Sequence, residues 1–333
     1  MNEWALHCVT CRAALGIAAT LNSATITGTA SNHVTSNRVT SNRAGGPADA
    51  TCEQCGAGYP GNGGIWSMLR AEDRPRVDRF LVDYTHIRQA EGRGSQDPEY
   101  YRALPATAPD DPLAWQWAIR ARSWAHAHQR LFGRHYRGRA PGPLRVVDVG
   151  AGVGWLSNQL AAAGHAAIAV DLSLDGLDGL SAAGHYRSHF AVVQAHFDHL
   201  PLASGQADMV LFNASFHYSV DYAVTVAEAL RVLAPGGRLV VLDSPIYRHD
   251  HSGRQMVLER HADFEARFGT RSDSVPSKQY LTPSVLDELA ERFGLQWQRS
   301  RAYYGWRWAA RPLVARVRRR REPSRFELLV AAT

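Results

Sequence analysis

Residues 145–156 read Arg-Val-Val-Asp-Val-Gly-Ala-Gly-Val-Gly-Trp-Leu. The valines around Asp148 predict a short buried strand, and the glycines at alternate positions after it predict a tight turn. The run from Trp155 to Ala163, closed by Gly164, predicts a helix whose free N–H groups face a ligand. A strand, a glycine turn and a helix in this order are typical of a nucleoside-binding β-α-β unit.

A second predicted strand, Ala166 to Val170, ends on Asp171, about twenty residues after the glycine turn. An acidic side chain at this point can accept hydrogen bonds from both hydroxyls of a ribose. For the glycines alone an ordinary βα turn is the alternative, and Asp171 favours the cofactor site. Because Gly154 follows Gly152 by two residues instead of three, the run misses the G-x-G-x-x-G pattern of pyrophosphate binding.

The segment Val147–Gly154 resembles the first motif of the class I S-adenosylmethionine-dependent methyltransferases, type 11-like. S-adenosylmethionine has no phosphate, which agrees with the missing pyrophosphate pattern. The resemblance implies an α/β, Rossmann-like domain over residues 144–333, with a seven-stranded sheet whose last strand is antiparallel. It implies these cofactor-binding residues: Asp148, Gly150, Ala151, Gly152, Gly154, Asp171, Leu172, Phe197, Asp198 and Asn213.

In that family Phe197 would pack on the adenine ring and Asp198 would receive the adenine amino group, an exposed loop aspartate being the alternative. Pro235-Gly-Gly before a Leu-Val-Val-Leu strand strengthens the resemblance. The pattern predicts helices at 222–233 and 282–293. It predicts strands at 144–149, 166–170, 190–194, 207–213, 238–243, 295–303 and 325–331.

All four cysteines lie in the first 55 residues, as two C-x-x-C pairs: Cys8 with Cys11, and Cys52 with Cys55. In a reducing compartment this favours a Zn²⁺ site with four thiolates over a redox pair or two disulfides. The second pair, with Tyr59-Pro and Gly64-Ile after it, resembles the small zinc ribbons found beside methyltransferases or as their activating partners. We therefore expect a zinc ribbon over residues 1–69.

Two further segments precede the α/β domain. Residues 22–50 form a polar tract with a tandem Val-Thr-Ser-Asn-Arg repeat, which predicts a flexible insertion in the ribbon. Residues 70–143 are largely helical in pattern, and in methyltransferases such helices commonly cover the cofactor. Four residues of this cap are candidates to face the site, the alternative being an aromatic stripe packed on the sheet: Tyr84, Arg88, Tyr100 and Tyr101.

Residues that are missing from the sequence limit the kinds of methyl acceptor that we expect. No cysteine follows Cys55, which argues against covalent methylation of pyrimidine carbon 5. The run Asn213–Phe216 lacks the two prolines of DNA amino-methylating enzymes. An O, N or C acceptor remains, with His217 as the candidate general base and Tyr218 orienting the acceptor, although a packing histidine is equally compatible. His249 and His251 are more typical of solvated residues than of metal ligands.

The formal net charge is +6, and an arginine run extends from Arg316 to Arg321. The run is compatible with a solvated helix face, an RNA contact or an acidic membrane surface. We expect a small-molecule acceptor, with rRNA or tRNA as the alternative and a non-catalytic scaffold ranked last because the cofactor motif is intact. No apolar run reaches eighteen residues and the N-terminus is a poor signal peptide, so we expect a cytoplasmic protein without a membrane span.

Overall fold

A computed structural model describes residues 4–21, 49–133 and 142–332. The predicted insertion 22–50 therefore lies outside the described residues, apart from residues 49 and 50. The N-terminal part of the described chain contains short strands: β1 (Ala5–His7), β2 (Ala14–Ala18), β3 (Thr20–Leu21), β4 (Ala50–Thr51), β5 (Gly58–Tyr59), β6 (Gly61–Asn62) and β7 (Ile65–Trp66).

The helical segment comprises α1 (Arg74–Ala90), α2 (Pro98–Ala103) and α3 (Ala114–Phe132). Helix α2 is capped at its first turn by the Asp97 side chain, which accepts a hydrogen bond from the Glu99 N–H. The α/β part follows as β8 (Arg145–Val149), α4 (Trp155–Ala162), β9 (Ala166–Asp171), β10 (Ala191–Gln194), β11 (Ala207–Asn213), α5 (Tyr222–Val232), β12 (Leu233–Leu242), α6 (Asp250–Phe268), α7 (Pro283–Phe293), β13 (Gln298–Ser300), α8 (Trp306–Ala309), α9 (Arg311–Val317) and β14 (Leu328–Ala332).

The strands of the α/β part form one sheet in the order β13-β14-β12-β11-β8-β9-β10, with β3 added beside β10. Strand β14 is antiparallel to both of its neighbours, β12 and β13. The predicted seven-stranded sheet with an antiparallel last strand is confirmed. The eighth strand was not predicted, because β3 pairs with a strand about 170 residues later, beyond the reach of local pattern.

Several elements differ from the sequence prediction. Strand β12 begins at Leu233, before Pro235-Gly-Gly, where a shift in register lets Leu233 pair with Ala207 of β11. The predicted strand 295–303 is reduced to Gln298–Ser300, and helix α6 was not predicted at all. Helix α6 buries only Ser252 and Gly253, so it has no apolar stripe that a pattern could detect.

The N-terminal strands pack on the sheet and share its core. Trp4, Tyr59 and Met68 belong to the same buried cluster as Val147 and Val193 of the sheet. The backbone N–H of Met68 donates to the Gln194 carbonyl at 2.8 Å. Such burial removes apolar surface from water in both parts at once, so the stability of each depends on the other.

A bidentate ion pair joins the first cysteine turn to helix α5. Arg12 donates from Nη1 and Nη2 to the two carboxylate oxygens of Glu228, at 2.9 and 3.1 Å. Glu228 is buried, which raises its pKa, but hydrogen bonds and charge from Arg231 and Arg12 hold that pKa below the ordinary value. Within the described ranges, no helix combines the length and apolar character that a bilayer crossing requires.

Candidate active site

A cavity of about 420 Å³ opens at the carboxyl ends of the parallel strands. In an open α/β sheet this edge is where ligands bind. The floor is made by the ends of β8, β9, β11 and β12, and α1 and α3 contribute wall residues such as Tyr84 and Trp117. The cavity has the size of a small-molecule site.

The glycine turn is packed tightly on one side and open on the other. Gly150 has φ +71°, and a Cβ there would lie 2.3 Å from the Cβ of Ser215. Gly152 has φ +56°, and a Cβ there would meet nothing within 4 Å. The turn therefore needs glycine for conformation at both positions, and its Gly152 side is free for a ligand to approach.

Asp171 points its carboxylate at the glycine turn. Oδ2 accepts the Gly152 N–H at 2.8 Å and Oδ1 accepts the Ser173 N–H at 2.8 Å. Burial raises the pKa of Asp171, and these two backbone N–H groups oppose that effect. Each carboxylate oxygen retains a lone pair for a ligand hydroxyl.

Two buried acceptor atoms beside the turn have no hydrogen-bond partner among the described residues. One is Oδ1 of Asp148, whose Oδ2 accepts the Ser157 hydroxyl at 2.8 Å, and the other is Oδ1 of Asn213. Burial raises the pKa of Asp148 to about 7. Unsatisfied buried acceptors are costly, so their chemistry fits a ligand that brings N–H donors or positive charge.

Most of the predicted cofactor residues meet in the cavity, and two do not. The residues that line it are Asp148, Gly150, Ala151, Gly152, Asp171, Leu172, Phe197 and Asn213. Gly154 instead precedes α4 with φ +76°, and its Cβ position faces the Phe190 ring. The carboxylate of Asp198 accepts the Thr225 hydroxyl and lies 3.6 Å from His196 Nδ1. The adenine role of Asp198 stays a prediction.

His217 and Tyr218 both line the cavity, on a short 3₁₀ turn after β11. Their ring centroids are 4.3 Å apart, and His217 Nδ1 lies 3.4 Å from Ser244 Oγ. Burial, followed by the charge of Arg260, lowers the pKa of His217 to about 3. The imidazole is therefore neutral near pH 7 and only a weak base.

Asp243 is a cavity residue that the sequence analysis missed. It follows β12 directly and is buried, with φ +53°, an uncommon conformation for an aspartate. Its Oδ1 accepts the Ser123 hydroxyl, while Oδ2 has no partner among the described residues. Burial raises the pKa of Asp243 to about 7. The sequence feature that could have identified Asp243 is an acidic residue at the carboxyl end of a predicted central strand.

The helical cap contributes two of its four candidate residues. Tyr84 and Arg88 line the cavity, and Arg88 forms an ion pair with Asp178. Tyr101 is buried instead and donates to the Leu177 carbonyl at 2.9 Å, with Tyr100 packed against it. Arg120 of α3, which was not predicted, also lines the cavity, its guanidinium 4.8 Å from the Trp117 ring centroid.

The four cysteines form a second cluster, away from the cavity. Their sulfur atoms all lie within 4.8 Å of one another, with Cys8 Sγ 3.6 Å from Cys55 Sγ and Cys11 Sγ 3.5 Å from Cys52 Sγ. All four are free, so the disulfide alternative is not what the structure contains. Thiolates around a tetrahedral Zn²⁺ at about 2.3 Å lie roughly 3.8 Å apart, close to the spacing found.

Comparison with known proteins identifies the segment that builds the cavity floor. Residues 147–241 match the family model described as a methyltransferase domain. This part of the chain is a methyltransferase domain. It contains the glycine turn, Asp171, Phe197, Asn213 and His217.

Curated relatives of the methyltransferase domain agree with this assignment. The malonyl-[acyl-carrier protein] O-methyltransferase of Hahella chejuensis is 36% identical over 29% of this chain and 36% of its own length. The demethylmenaquinone methyltransferase of Mycobacterium marinum is 34% identical over 30% of this chain and 41% of its own length. These matches span little more than a third of the relatives.

One solved structure with a similar domain is the 1,6-didemethyltoxoflavin-N1-methyltransferase of Burkholderia thailandensis, with bound 1,6-didemethyltoxoflavin and S-adenosylhomocysteine. It is 19% identical, with a TM-score of 0.40, and the superposition covers 65% of this chain and 78% of that chain.

Proposed function

We propose that the protein is an S-adenosylmethionine-dependent methyltransferase that acts on a small molecule. The observation that carries the proposal is Asp171, whose carboxylate faces the open side of the glycine turn inside a methyltransferase domain. The size of the cavity, about 420 Å³, supports a small acceptor over a folded RNA. The names of the two relatives describe transfer to an acyl-carrier-protein-bound malonyl group and to a quinone, and both are compatible with this class of reaction.

The residues present fit this cofactor. Asp171 would accept hydrogen bonds from the ribose hydroxyls, and Phe197 and Leu172 would contact the adenine. The unpartnered Oδ1 atoms of Asp148 and Asn213 suit the positively charged methionine end. When bound, S-adenosylmethionine supplies a methyl group on a sulfonium, which is already electrophilic.

The protein's own contribution would be to orient the acceptor and to remove its proton. His217 and Tyr218 line the cavity after β11 and are proposed to contact the acceptor. We assign proton removal to Asp243 instead of His217, because a general base works best when its pKa lies near the working pH. The pKa of Asp243 is about 7, whereas that of His217 is about 3.

We propose that Cys8, Cys11, Cys52 and Cys55 are the ligands of a Zn²⁺ ion. Its role would be structural, because four thiolates leave no open coordination position. We propose the domain organisation expected from the sequence: a zinc ribbon over 1–69, a helical cap over 70–143 and the methyltransferase domain over 144–333. The shared core and the strand β3 fasten the ribbon to the sheet.

Isothermal titration calorimetry with S-adenosylhomocysteine on the full chain tests the cofactor directly. We expect binding at one site per chain and a rise in the melting temperature. Folded, zinc-loaded protein that gives neither heat nor a thermal shift with S-adenosylhomocysteine or S-adenosylmethionine would contradict the proposal.

The elevated pKa of Asp243 predicts a stability that depends on pH. Between about pH 4 and 7 the folded protein keeps this proton while the unfolded chain has lost it, so its contribution to stability falls as pH rises. A change from 3.8 to about 7 corresponds to as much as about 4 kcal/mol. We expect Asp243→Asn to gain stability relative to the parent protein between pH 5 and pH 8, measured as free energies of unfolding in urea.

The exposed Asp263 provides the control for this measurement, since Asp263→Asn should show the same difference from the parent at both pH values. For each variant, the difference in unfolding free energy from the parent is compared between pH 5 and pH 8, which cancels any pH-independent effect of the asparagine on stability. An Asp243→Asn difference that is constant from pH 5 to pH 8 would contradict an elevated pKa and remove the case for this residue as the base.

A further inference from the structure

Helices α8 and α9 follow one another with only Ala310 between them, and neither helix buries any of its residues completely; we call the two together the segment. The Ala310 N–H donates to the Trp306 carbonyl at 2.9 Å, and the Val314 N–H donates to the Ala310 carbonyl at 3.0 Å. The first bond closes the end of α8 and the second opens α9, so the two short helices meet at Ala310. Residues within each helix can be assigned to faces by helical spacing.

One face of this segment carries large apolar side chains in solvent. Trp306, Leu313 and Val317 are 70%, 66% and 75% exposed. Leu313 and Val317, four residues apart, lie on one side of α9, and Trp306 is exposed on α8 directly before it; we call these three residues the outer stripe. An amphipathic helix in a water-soluble domain normally turns such a stripe toward the core.

The segment cannot hide the outer stripe by rotating, because its opposite side is anchored. The Trp308 ring lies 4.9 Å from the Tyr304 ring and 5.6 Å from the Phe326 ring. Arg311 lies over Trp308, with its guanidinium carbon 3.4 Å from the ring centroid, and donates to the Ser324 carbonyl. The stripe is therefore held outward by specific contacts.

Positive charge surrounds the outer stripe. Five arginines here are exposed and have no acidic side chain within 4.0 Å among residues 4–21, 49–133 and 142–332: Arg307, Arg316, Arg318, Arg319 and Arg320. By contrast, Arg321 pairs with Glu259 of α6. Uncompensated arginines next to exposed apolar side chains complement a surface that is negatively charged outside and apolar beneath.

We propose that the outer stripe and these five arginines bind the surface of an anionic lipid bilayer. Trp306, Leu313 and Val317 would enter the boundary between headgroups and acyl chains, while the arginines contact lipid phosphates. The segment would lie in the plane of the membrane and would not cross it. This surface does not depend on the proposed methyl transfer.

Two other occupants explain the surface less well. RNA would be attracted by the arginines, but leucine and valine gain little from phosphates or bases, which bind through hydrogen bonds and stacking on flat side chains. A second copy of the chain, docked by a two-fold axis, would bring the same arginines against one another. Of these three occupants, a membrane surface is the one that uses both the aliphatic and the cationic side chains.

Binding of the outer stripe to a membrane would also fix where the cavity lies relative to the lipid. Phe326 contacts Trp308 on one side and lines the cavity on the other. Membrane attachment through the outer stripe would therefore hold the cavity one aromatic layer away from the lipid-facing segment.

Co-sedimentation of the full, zinc-loaded chain with lipid vesicles tests the proposal. The probes are vesicles of phosphatidylcholine alone and of phosphatidylcholine with about one third phosphatidylglycerol, at about 0.1 M salt. We expect binding to the anionic vesicles that is at least tenfold tighter than to the neutral ones and that weakens as salt is raised. Absence of sedimentation with the anionic vesicles would overturn the proposal.

Two pairs of substitutions separate the contributions. Leu313→Ser with Val317→Ser is expected to weaken vesicle binding at least tenfold, and Arg318→Gln with Arg320→Gln about fivefold per arginine. The controls are Val82→Ser, 70% exposed on α1, and Arg79→Gln with Arg187→Gln, both exposed elsewhere; these should bind like the parent. Unchanged circular dichroism and S-adenosylhomocysteine binding would show that the variants remain folded.

The same variants distinguish RNA from lipid. If structured RNA is retained on filters, lost with Arg318→Gln and Arg320→Gln but unaffected by Leu313→Ser and Val317→Ser, while the vesicles are not bound, the proposal is overturned in favour of RNA. If the serine variants bind anionic vesicles as tightly as the parent, the outer stripe does not enter the bilayer and the proposal is also overturned.

Discussion

Replacing Asp171 by alanine is expected to lower the affinity for S-adenosylhomocysteine by at least about a hundredfold. A carboxylate that accepts two ribose hydroxyls makes two charge-assisted hydrogen bonds, each contributing roughly 1.5–3 kcal/mol. The substitution also removes the acceptor for the Gly152 N–H, so the open side of the glycine turn loses its support. Calorimetry of the parent and the variant with the same ligand measures the effect.

Two companion variants make this result specific. Asp171→Asn keeps an oxygen for one backbone N–H and removes the charge, so we expect an intermediate loss of affinity, about tenfold to a hundredfold. Asp263→Ala removes an equally charged, exposed carboxylate on α6 and should leave affinity within about twofold. If Asp171→Ala is folded by circular dichroism and binds as tightly as the parent, the ribose role of Asp171 is wrong.

A ligand that lacks the amino-acid end of the cofactor tests whether Asp171 acts on the ribose or on the methionine part. Methylthioadenosine contains the adenine and ribose but lacks the methionine amino and carboxyl groups. Asp171→Ala should weaken it by the same factor as S-adenosylhomocysteine. If Asp171→Ala weakens the binding of S-adenosylhomocysteine but not that of methylthioadenosine, Asp171 acts on the methionine end, through the glycine turn.

The part of the site that sequence could predict is the part built within a short stretch of chain. Asp148, Gly150, Gly152 and Asp171 lie within one β-α-β unit, where a strand, a turn and a second strand fix their positions locally. The glycines carry their own conformational signature, since φ above zero is costly for other residues. Periodicity and glycine spacing were therefore sufficient.

Residues whose position depends on distant chain segments were predicted less well. Asp243 is held at the cavity by Ser123 of α3, 120 residues earlier, which donates its hydroxyl to Oδ1. Asp198 matches the family pattern, and the Thr225 hydroxyl of α5 donates to its side chain; its adenine role stays a prediction. Such contacts form between elements that are far apart in sequence, so no local pattern records them.

Contacts between distant chain segments also explain why the N-terminal part was predicted only in part. The two C-x-x-C pairs predicted a cluster of sulfur atoms, and the sulfurs do lie together. Sequence did not indicate that β3 would extend the main sheet or that Trp4 and Tyr59 would join its core. A segment of this length has little apolar surface of its own, and burial against the sheet supplies what it lacks.

Removing the proposed Zn²⁺ is therefore expected to destabilise the whole protein. A loss of about 5 kcal/mol would lower the melting temperature of a chain of this size by about 7 °C. Cys55→Ser is the most informative variant, because the Cys55 side chain is exposed and its replacement creates no cavity. Glu53→Gln, an exposed residue of the same turn, is the matched control and should melt like the parent. Thermal unfolding with and without a zinc chelator, together with metal analysis, measures the effect.

The loss should extend from the cysteines to the cofactor cavity through β10. This strand is flanked by β3 and receives the Met68 N–H at Gln194, and Phe197 of the cavity follows three residues later. Once the cysteine turns loosen, these contacts weaken, so chelation and Cys55→Ser should each reduce S-adenosylhomocysteine affinity several-fold. Added Zn²⁺ should restore the chelated parent but not Cys55→Ser. Metal-free protein with an unchanged melting temperature and unchanged affinity would mean that the four sulfurs hold no structural ion and that packing alone secures the N-terminal strands.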